Sequence, residues 1–354
     1  MKQLSPELLI DLDLIRENTL KLKNLTTNHS KFMAILKSDA YGHNIKKVSK
    51  AIDDIVDGYG VVKLEEAKKL REVSDKKILL MQGIYNEDDL LNLQKYNINT
   101  VIHNEYQLEI HKKLNEFSGV WFKINTGMNR LGFELDEFLK IISSNPKIKK
   151  FTLMTHLAAS KNKEEKLNTE QFDLLKKAKE NLRIDVQVSA VNTGGLINFP
   201  NYHYDWVRAG IGIYGGFSGN LDLKTAMTLR GRVINIRDIK KGDRVGYDGR
   251  AVAKKDLKIA TIFIGYADGL PQNLRDGTKV LINNKIAEIF GKISMDLTTI
   301  DISKAGKCQI GDWCEFFSPK LSINLISDTN SLIPYELMTK ITPRVKRKFI
   351  NDNS

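Results

Sequence analysis

The sequence predicts an α/β protein, a (β/α)8 barrel followed by a separate, mostly β domain. Three observations predict it. Eight short, near-continuous apolar runs lie between residues 31 and 209; amphipathic helical stretches alternate with them; and after about residue 215 turn pairs separate strand-like runs with few helical patterns. Continuous rather than alternating apolar runs fit parallel strands buried on both faces. Strand and helix alternating eight times favours a closed barrel over an open doubly wound sheet.

The elements follow in order. A strand over 8–13 and a helix with Leu14, Ile15, Leu22 and Leu25 on one face come first. The barrel runs are 31–36, 58–62, 78–81, 100–103, 120–124, 151–155, 186–191 and 204–209. Between them, Leu64, Ala67, Leu70 and Val73 form one helical stripe, and Phe138, Leu139, Ile141 and Ile142 part of another. Gly215, Gly216 and Gly219 mark a break. Strand-like runs follow at 233–236, 257–263 and 280–282, with turns at 241–243, 276–277 and 283–284. The expected domains are therefore a barrel over 7–220 and a β domain over 221–354. Since eight strands close the barrel, the strand at 8–13 is expected to join the second domain.

Composition narrows the class. The chain has 354 residues, 42% hydrophobic and 28% charged, enough for a sizeable core. Its net charge is +12, but the lysines are scattered. The one tight basic cluster, Arg344, Lys346, Arg347 and Lys348, carries no nucleic-acid signature, so no nucleic-acid partner is expected. No apolar run is long enough to span a membrane. The first residues lack the pattern of a signal peptide. Cys308 and Cys314 fit neither a disulfide framework nor a metal site, so a cytoplasmic protein without metal is expected.

Barrels work at the C-terminal ends of their strands. The residues just past the runs are Lys37 to His43 after the first, 125–130 after the fifth, His156 after the sixth, Asn192 and Thr193 with two glycines after the seventh, and Arg208, Gly210 and Ile211 at the eighth. Lys123 lies within the fifth. A lysine at a strand end is ordinarily a solvated loop residue. Lys37, however, follows Phe32-Met33-Ala34-Ile35-Leu36, so its stem leaves a dry wall. Partial burial lowers an amine pKa and makes a usable nucleophile. The glycine-rich turn after the seventh run suits a phosphate. Alone, Arg208 reads as a structural ion pair and His156 as a core histidine; their joint occurrence points to a site.

The string Ala34-Ile35-Leu36-Lys37-Ser38-Asp39-Ala40-Tyr41-Gly42-His43 resembles the cofactor-attachment motif of the alanine racemase family, fold-type III pyridoxal-phosphate enzymes with a barrel and a β domain. The resemblance runs in order along nearly the whole chain. It includes the stretches 123–132, 205–211, Val245-Gly246-Tyr247, 265–269, Ser294-Met295-Asp296 and Pro334-Tyr335-Glu336-Leu337.

The resemblance implies pyridoxal 5′-phosphate as cofactor, held by Lys37 as a Schiff base. It makes Lys37 and Tyr247 the two catalytic bases. Tyr41, Thr193, Tyr335 and the amides of Gly210 and Ile211 look like phosphate contacts, with Asn192 beside them. Arg208 looks like the partner of the pyridine nitrogen. His156 fits a histidine bridging the tyrosine to that arginine. Arg130 looks like the clamp on the substrate carboxylate, and Lys123 like a family lysine, open to carbamylation, that braces it. Tyr266 and Met295 look like residues that narrow the substrate site, with Asp296 in support. A free tyrosine has a pKa near ~10, so Tyr247 needs a neighbour that stabilises its anion.

L-Alanine and D-alanine present the α-hydrogen to opposite sides, which is why two bases suit racemisation. The implied assembly is a head-to-tail homodimer with shared sites, and the implied role is D-alanine supply for peptidoglycan. Asn129 and Asp248 stand where the family commonly has glycine, and Ala251 where it often has tyrosine. The competing readings are a racemase of the same fold with other substrates such as serine or lysine, a decarboxylase on a similar barrel, and a non-catalytic cofactor carrier.

Overall fold

A computed structural model describes residues 5–113, 117 and 119–352. The strands in chain order are β1 (Glu7–Asp11), β2 (Lys31–Ile35), β3 (Gly58–Val61), β4 (Lys77–Leu80), β5 (Ile98–Ile102), β6 (Val120–Lys123), β7 (Thr152–Met154), β8 (Gln187–Ser189) and β9 (Trp206–Ala209), then β10 (Met227–Ile239), β11 (Arg244–Val245), β12 (Ala251–Val252), β13 (Leu257–Phe263), β14 (Lys279–Ile282), β15 (Lys285–Ile289), β16 (Leu297–Asp301), β17 (Trp313–Phe317) and β18 (Lys346–Ile350). The chain divides into two compact units. One comprises 19–40 and 44–213; the other comprises 1–18, 41–43 and 214–354.

The first unit is the barrel. Its eight parallel strands run in the order β8-β7-β6-β5-β4-β3-β2-β9. Backbone hydrogen bonds from Asp205 to Val188 at 3.1 Å and from Arg208 to Val191 at 3.1 Å draw the two end strands together and nearly close the ring. Phe32, Val101, Phe122, Leu153, Val188 and Val207 are fully buried. Such strands read as unbroken apolar text because both faces are covered. The eighth run is shorter than its pattern: Tyr204 has φ 49°, and the strand starts at Trp206.

In the second unit, β10 pairs with β17 and β13, and the order β13-β16-β15-β14-β17-β10 closes on itself as a six-stranded antiparallel barrel. A bulge between Val233 and Asn235 breaks the long β10, as expected where a strand turns from one partner to another. β1 pairs antiparallel with β10 and parallel with β18. The run at 8–13 is cut short because the Asp11 carboxylate accepts the amides of Asp13 and Leu14, at 3.1 and 3.2 Å. That capping starts the helix Leu12–Lys23. Leu25 lies past its end and is partly exposed. Two helices that periodicity did not reveal, Ile323–Asn330 and Pro334–Thr339, also belong to this unit.

Candidate active site

Lys37 opens an unusual turn. Ser38, Asp39, Ala40 and Tyr41 all have φ between 53 and 56°, four consecutive non-glycine residues in the left-handed region. Each costs roughly 1–2 kcal/mol there. Asp39 helps to hold the conformation. Its carboxylate accepts the Ile45 amide at 2.9 Å, its carbonyl accepts the Asn44 amide at 3.0 Å, and its own amide donates to Glu66 Oε1 at 3.2 Å. Ala40 N donates to Leu36 O at 2.8 Å. Strain of this kind survives only where its surroundings over-determine it, and it clusters at working sites.

Around Lys37 the barrel gathers four more basic groups. Burial lowers the Lys37 pKa and the charge of Arg130 lowers it further, against the Glu66 carboxylate. Lys123 is buried at the end of β6 and pushed down to about 8, first by burial, then by Arg208, Arg130 and Lys37. His156 follows β7 and is held well below its ordinary value by burial and by the same four cations, so it is neutral at pH 7. Arg208 is buried in β9. Its Nη2 donates to Thr155 O at 2.6 Å and Ala190 O at 3.1 Å, and its Nη1 donates to Ser189 Oγ. Burial lowers its pKa too, but a guanidinium keeps its charge at neutral pH. Arg130 is exposed and has no hydrogen-bond partner among the described residues. Lys37, Lys123, Arg130, His156 and Arg208 therefore share one field. Cations crowded in this way favour an anion among them.

Two glycine turns meet beside this cluster's strand ends. Thr193 Oγ1 accepts the amides of Gly210 at 3.0 Å and Gly212 at 3.5 Å. The Gly210 amide is thus engaged by Thr193. Asn192 Oδ1 accepts the Gly195 amide at 3.1 Å and the Ser160 hydroxyl at 2.6 Å. A Cβ on Gly212 would lie 2.7 Å from Thr193 Cγ2, so the approach requires glycine. Ile211 begins a short 3-10 turn.

The remaining candidates lie in the second unit. Tyr41 is buried, its ring 4.9 Å from that of Tyr214 and 5.9 Å from that of Tyr335. Burial, then the neighbouring Tyr335, raise its pKa, so it stays a hydroxyl donor. Tyr247, Tyr266 and Met295 are exposed, at 68, 37 and 54%. The amides of Tyr266 and Ala267 donate to the carbonyls of Ser294 and Met295 at 3.0 Å each, which sets the two segments side by side. Lys292 Nζ reaches Asp248 Oδ2, next to Tyr247, at 3.1 Å. Asn129 and Asp248 have φ 53° and 61°. Both lie in the left-handed region, where Asn and Asp are the non-glycine side chains best tolerated.

Sequence reasoning missed several supports. Gln171, on the helix Lys166–Asn181, donates to Thr126 Oγ1 at 3.0 Å and His156 O at 2.9 Å, and accepts the Ala158 amide at 2.9 Å. His103 ends the fourth apolar run, a signal that could have found it. Its Nε2 lies 3.1 Å from the Tyr85 hydroxyl, and Lys123 is among the charges that lower its pKa, after burial. Arg344 reads in sequence as one of a basic cluster, yet it pairs with Asp296 and, at 3.6 Å, with Asp268.

Comparison with known proteins identifies the family. The family model "Alanine racemase, N-terminal domain" matches residues 10–217, and "Alanine racemase, C-terminal domain" matches 226–349. The chain is 35% identical over 334 residues to an alanine racemase of Mannheimia succiniciproducens, covering 91% of this chain and 93% of that one. It is 36% identical over 345 residues to one from Actinobacillus succinogenes, covering 94% and 96%. Among solved structures, the biosynthetic alanine racemase of Pseudomonas aeruginosa superposes with a TM-score of 0.91 at 29% identity, over 99% of this chain and 100% of that one. The Bartonella henselae alanine racemase, solved with covalently bound pyridoxal phosphate, has a TM-score of 0.89 at 27% identity, over 98% and 100%.

Proposed function

Since the chain belongs to the alanine racemase family, we infer that it interconverts L-alanine and D-alanine with pyridoxal 5′-phosphate and supplies D-alanine for peptidoglycan. The observation that carries this reading is the basic cluster of Lys37, Lys123, Arg130, His156 and Arg208 at the barrel mouth. Its donor set suits the cofactor. A desolvated amine is available for covalent attachment, and the surplus positive charge matches an anionic phosphate and a substrate carboxylate.

Lys37 would hold the cofactor, and Arg208 would donate to its ring nitrogen. Asn192, Thr193, Gly210, Ile211, Tyr41 and Tyr335 would hold the phosphate. Bound pyridoxal phosphate withdraws electrons from the substrate α-carbon and acidifies its hydrogen. Because Arg208 stays protonated, it gives the ring nitrogen a hydrogen bond without a transferable proton. That limits charge build-up and disfavours transamination. Arg130 grips the substrate carboxylate, and Lys123 braces Arg130.

On one face Tyr247 takes the α-hydrogen of L-alanine while Lys37 gives a proton to the other face; from D-alanine the roles exchange. Neutral His156 links the phenol to Arg208 and lets that charge stabilise the phenolate. Tyr266 and Met295 narrow the entrance, with Asp296 in support, and so favour a small side chain.

Most of the cofactor contacts belong to the barrel of 7–220, and Tyr335 belongs to the β domain. The second base belongs to the β domain of 221–354 with its N-terminal strand. The exposure of Tyr247, Tyr266 and Met295 supports a head-to-tail homodimer in which the partner subunit's Tyr247 faces Lys37. Among the described residues no helix is long and apolar enough to cross a membrane. The free cysteines Cys308 and Cys314 suit the cytoplasm. The test is direct: protein loaded with cofactor and given either enantiomer of alanine should bring both to equal amounts. No D-alanine from L-alanine would refute the reading, and a panel of other L-amino acids should show alanine preferred over serine and lysine.

A further inference from the structure

Two lysines stand in the basic cluster at the barrel mouth, and their surroundings differ in one respect. Burial, Arg208, Arg130 and Lys37 all push Lys123 down, and among the described residues no carboxylate opposes them. His156 is likewise acted on by cations alone. Lys37 feels burial and Arg130, but also the carboxylate of Glu66, which favours its ammonium form.

Local structure explains why Glu66 is there. It lies in the first turn of the helix Leu64–Arg71, which follows β3. Its Oε2 accepts the amides of Val62 and Lys63 at 3.2 and 3.1 Å, fixing the carboxylate at the junction of strand and helix. Helix capping accounts for those two bonds. It does not account for the third, in which Oε1 accepts the Asp39 amide from the next strand end at 3.2 Å. The other side of Lys37 is tied to the same connection, because the Leu36 amide donates to Gly60 O at 2.9 Å. Lys37 therefore leaves the chain between Leu36 and Asp39, both bonded to the segment that runs from β3 into the helix.

A base that also returns a proton must be able to hold one. Cations crowded around an amine strip it of its proton unless an anion stands nearby. Lys123, without such an anion, falls to about 8. The Asp39 carboxylate, on the turn that Lys37 opens, is engaged by the Ile45 amide at 2.9 Å.

We propose that Glu66 is a positioning residue for Lys37, bracing the turn from which that side chain leaves and supplying the counter-charge that keeps its ammonium form within reach. The proposal rests on Lys37 being the cofactor-holding base and adds to the site a residue from a neighbouring helix.

The test reads the Lys37 amine itself and needs no turnover. The full chain, freed of cofactor with hydroxylamine and shown to take pyridoxal phosphate up again, is pulse-labelled with acetic anhydride across pH. The label on Lys37 is measured by peptide mass. Glu66→Gln removes the charge and keeps one acceptor oxygen. At pH 7 its Lys37 should label about threefold or more faster than in wild type. The two rates should converge at alkaline pH, where both amines are free. Glu66→Asp withdraws the charge by one methylene and should give a smaller rise of the same form; it carries the arm if Glu66→Gln does not fold. Asn86→Ala removes the cap of another helix in the barrel unit, where Asn86 Oδ1 accepts the Asp89 amide at 2.8 Å, and should leave Lys37 labelling unchanged. A Glu66→Gln curve that coincides with wild type, a rise equal at every pH, or the same rise in Asn86→Ala overturns the proposal. Wild-type racemisation is read separately: its absence would remove the racemase reading and leave the labelling result standing.

Discussion

Arg208 Nη2 donates to the carbonyl of Thr155 at 2.6 Å, tying the last barrel strand to the residue immediately before His156. One guanidinium thereby fixes the position of the histidine's backbone and lowers the histidine's pKa through space. The arginine is structural as well as chemical.

Replacing Arg208 by leucine should therefore destabilise the cofactor-free protein. Thr155 O, Ala190 O and Ser189 Oγ all lose their donor, and an unpaired buried acceptor costs about 1–3 kcal/mol. Urea unfolding should show a loss of at least about 2 kcal/mol.

Lys123 gives stability a pH dependence with a definite sign. Its folded pKa, about 8, lies below the ordinary 10.5. Between those values the unfolded chain holds the proton and the folded chain does not, so stability rises with pH across that window. Below about 8 both states are protonated and the burial cost is fully present. In CO2-free buffer, wild type should gain on Lys123→Met by up to about 3 kcal/mol between the two values.

The same lowered pKa leaves part of Lys123 as free amine, which can add CO2 to form a carbamate and release a proton. Arg208, Arg130 and Lys37, whose charges lower its pKa, would all favour that anion. Bicarbonate should raise turnover of wild type but not of Lys123→Ala, and intact mass of the native protein should show one added CO2.

The left-handed turn makes Asp39 a sensitive position. Asp39→Ala removes the acceptor of the Ile45 amide and frees a turn that is unfavourable by itself. Stability should fall by about 1–2 kcal/mol. Turnover should fall with it as Lys37 loses its fixed exit, while Asp39→Asn, which keeps the acceptor oxygen, should recover most of both.

The barrel was legible because burial on both faces writes parallel strands as unbroken apolar runs, from Phe32 to Val207. Strand ends then located Lys37, Lys123, His156 and Arg208 without knowledge of contacts. What was not legible rests on contacts distant in sequence or on conformations without a local signature. Nothing in Ser38-Asp39-Ala40-Tyr41 marks a left-handed turn, since no glycine stands among them. Gln171 supports His156 from a helix whose polar residues all look solvated. β10 serves three partner strands, and hydropathy shows only that part of it is apolar. Arg344 looked like surface charge until its partners Asp296 and Asp268 were placed.

Proton transfer by two bases on opposite faces of one carbon is tested by solvent deuterium exchange in Tyr247→Phe. That variant should bind cofactor and exchange the α-hydrogen of D-alanine through Lys37. Exchange from L-alanine and racemisation should each fall by about 10²–10⁴-fold. Exchange from L-alanine and racemisation at near wild-type rates would contradict two-base transfer.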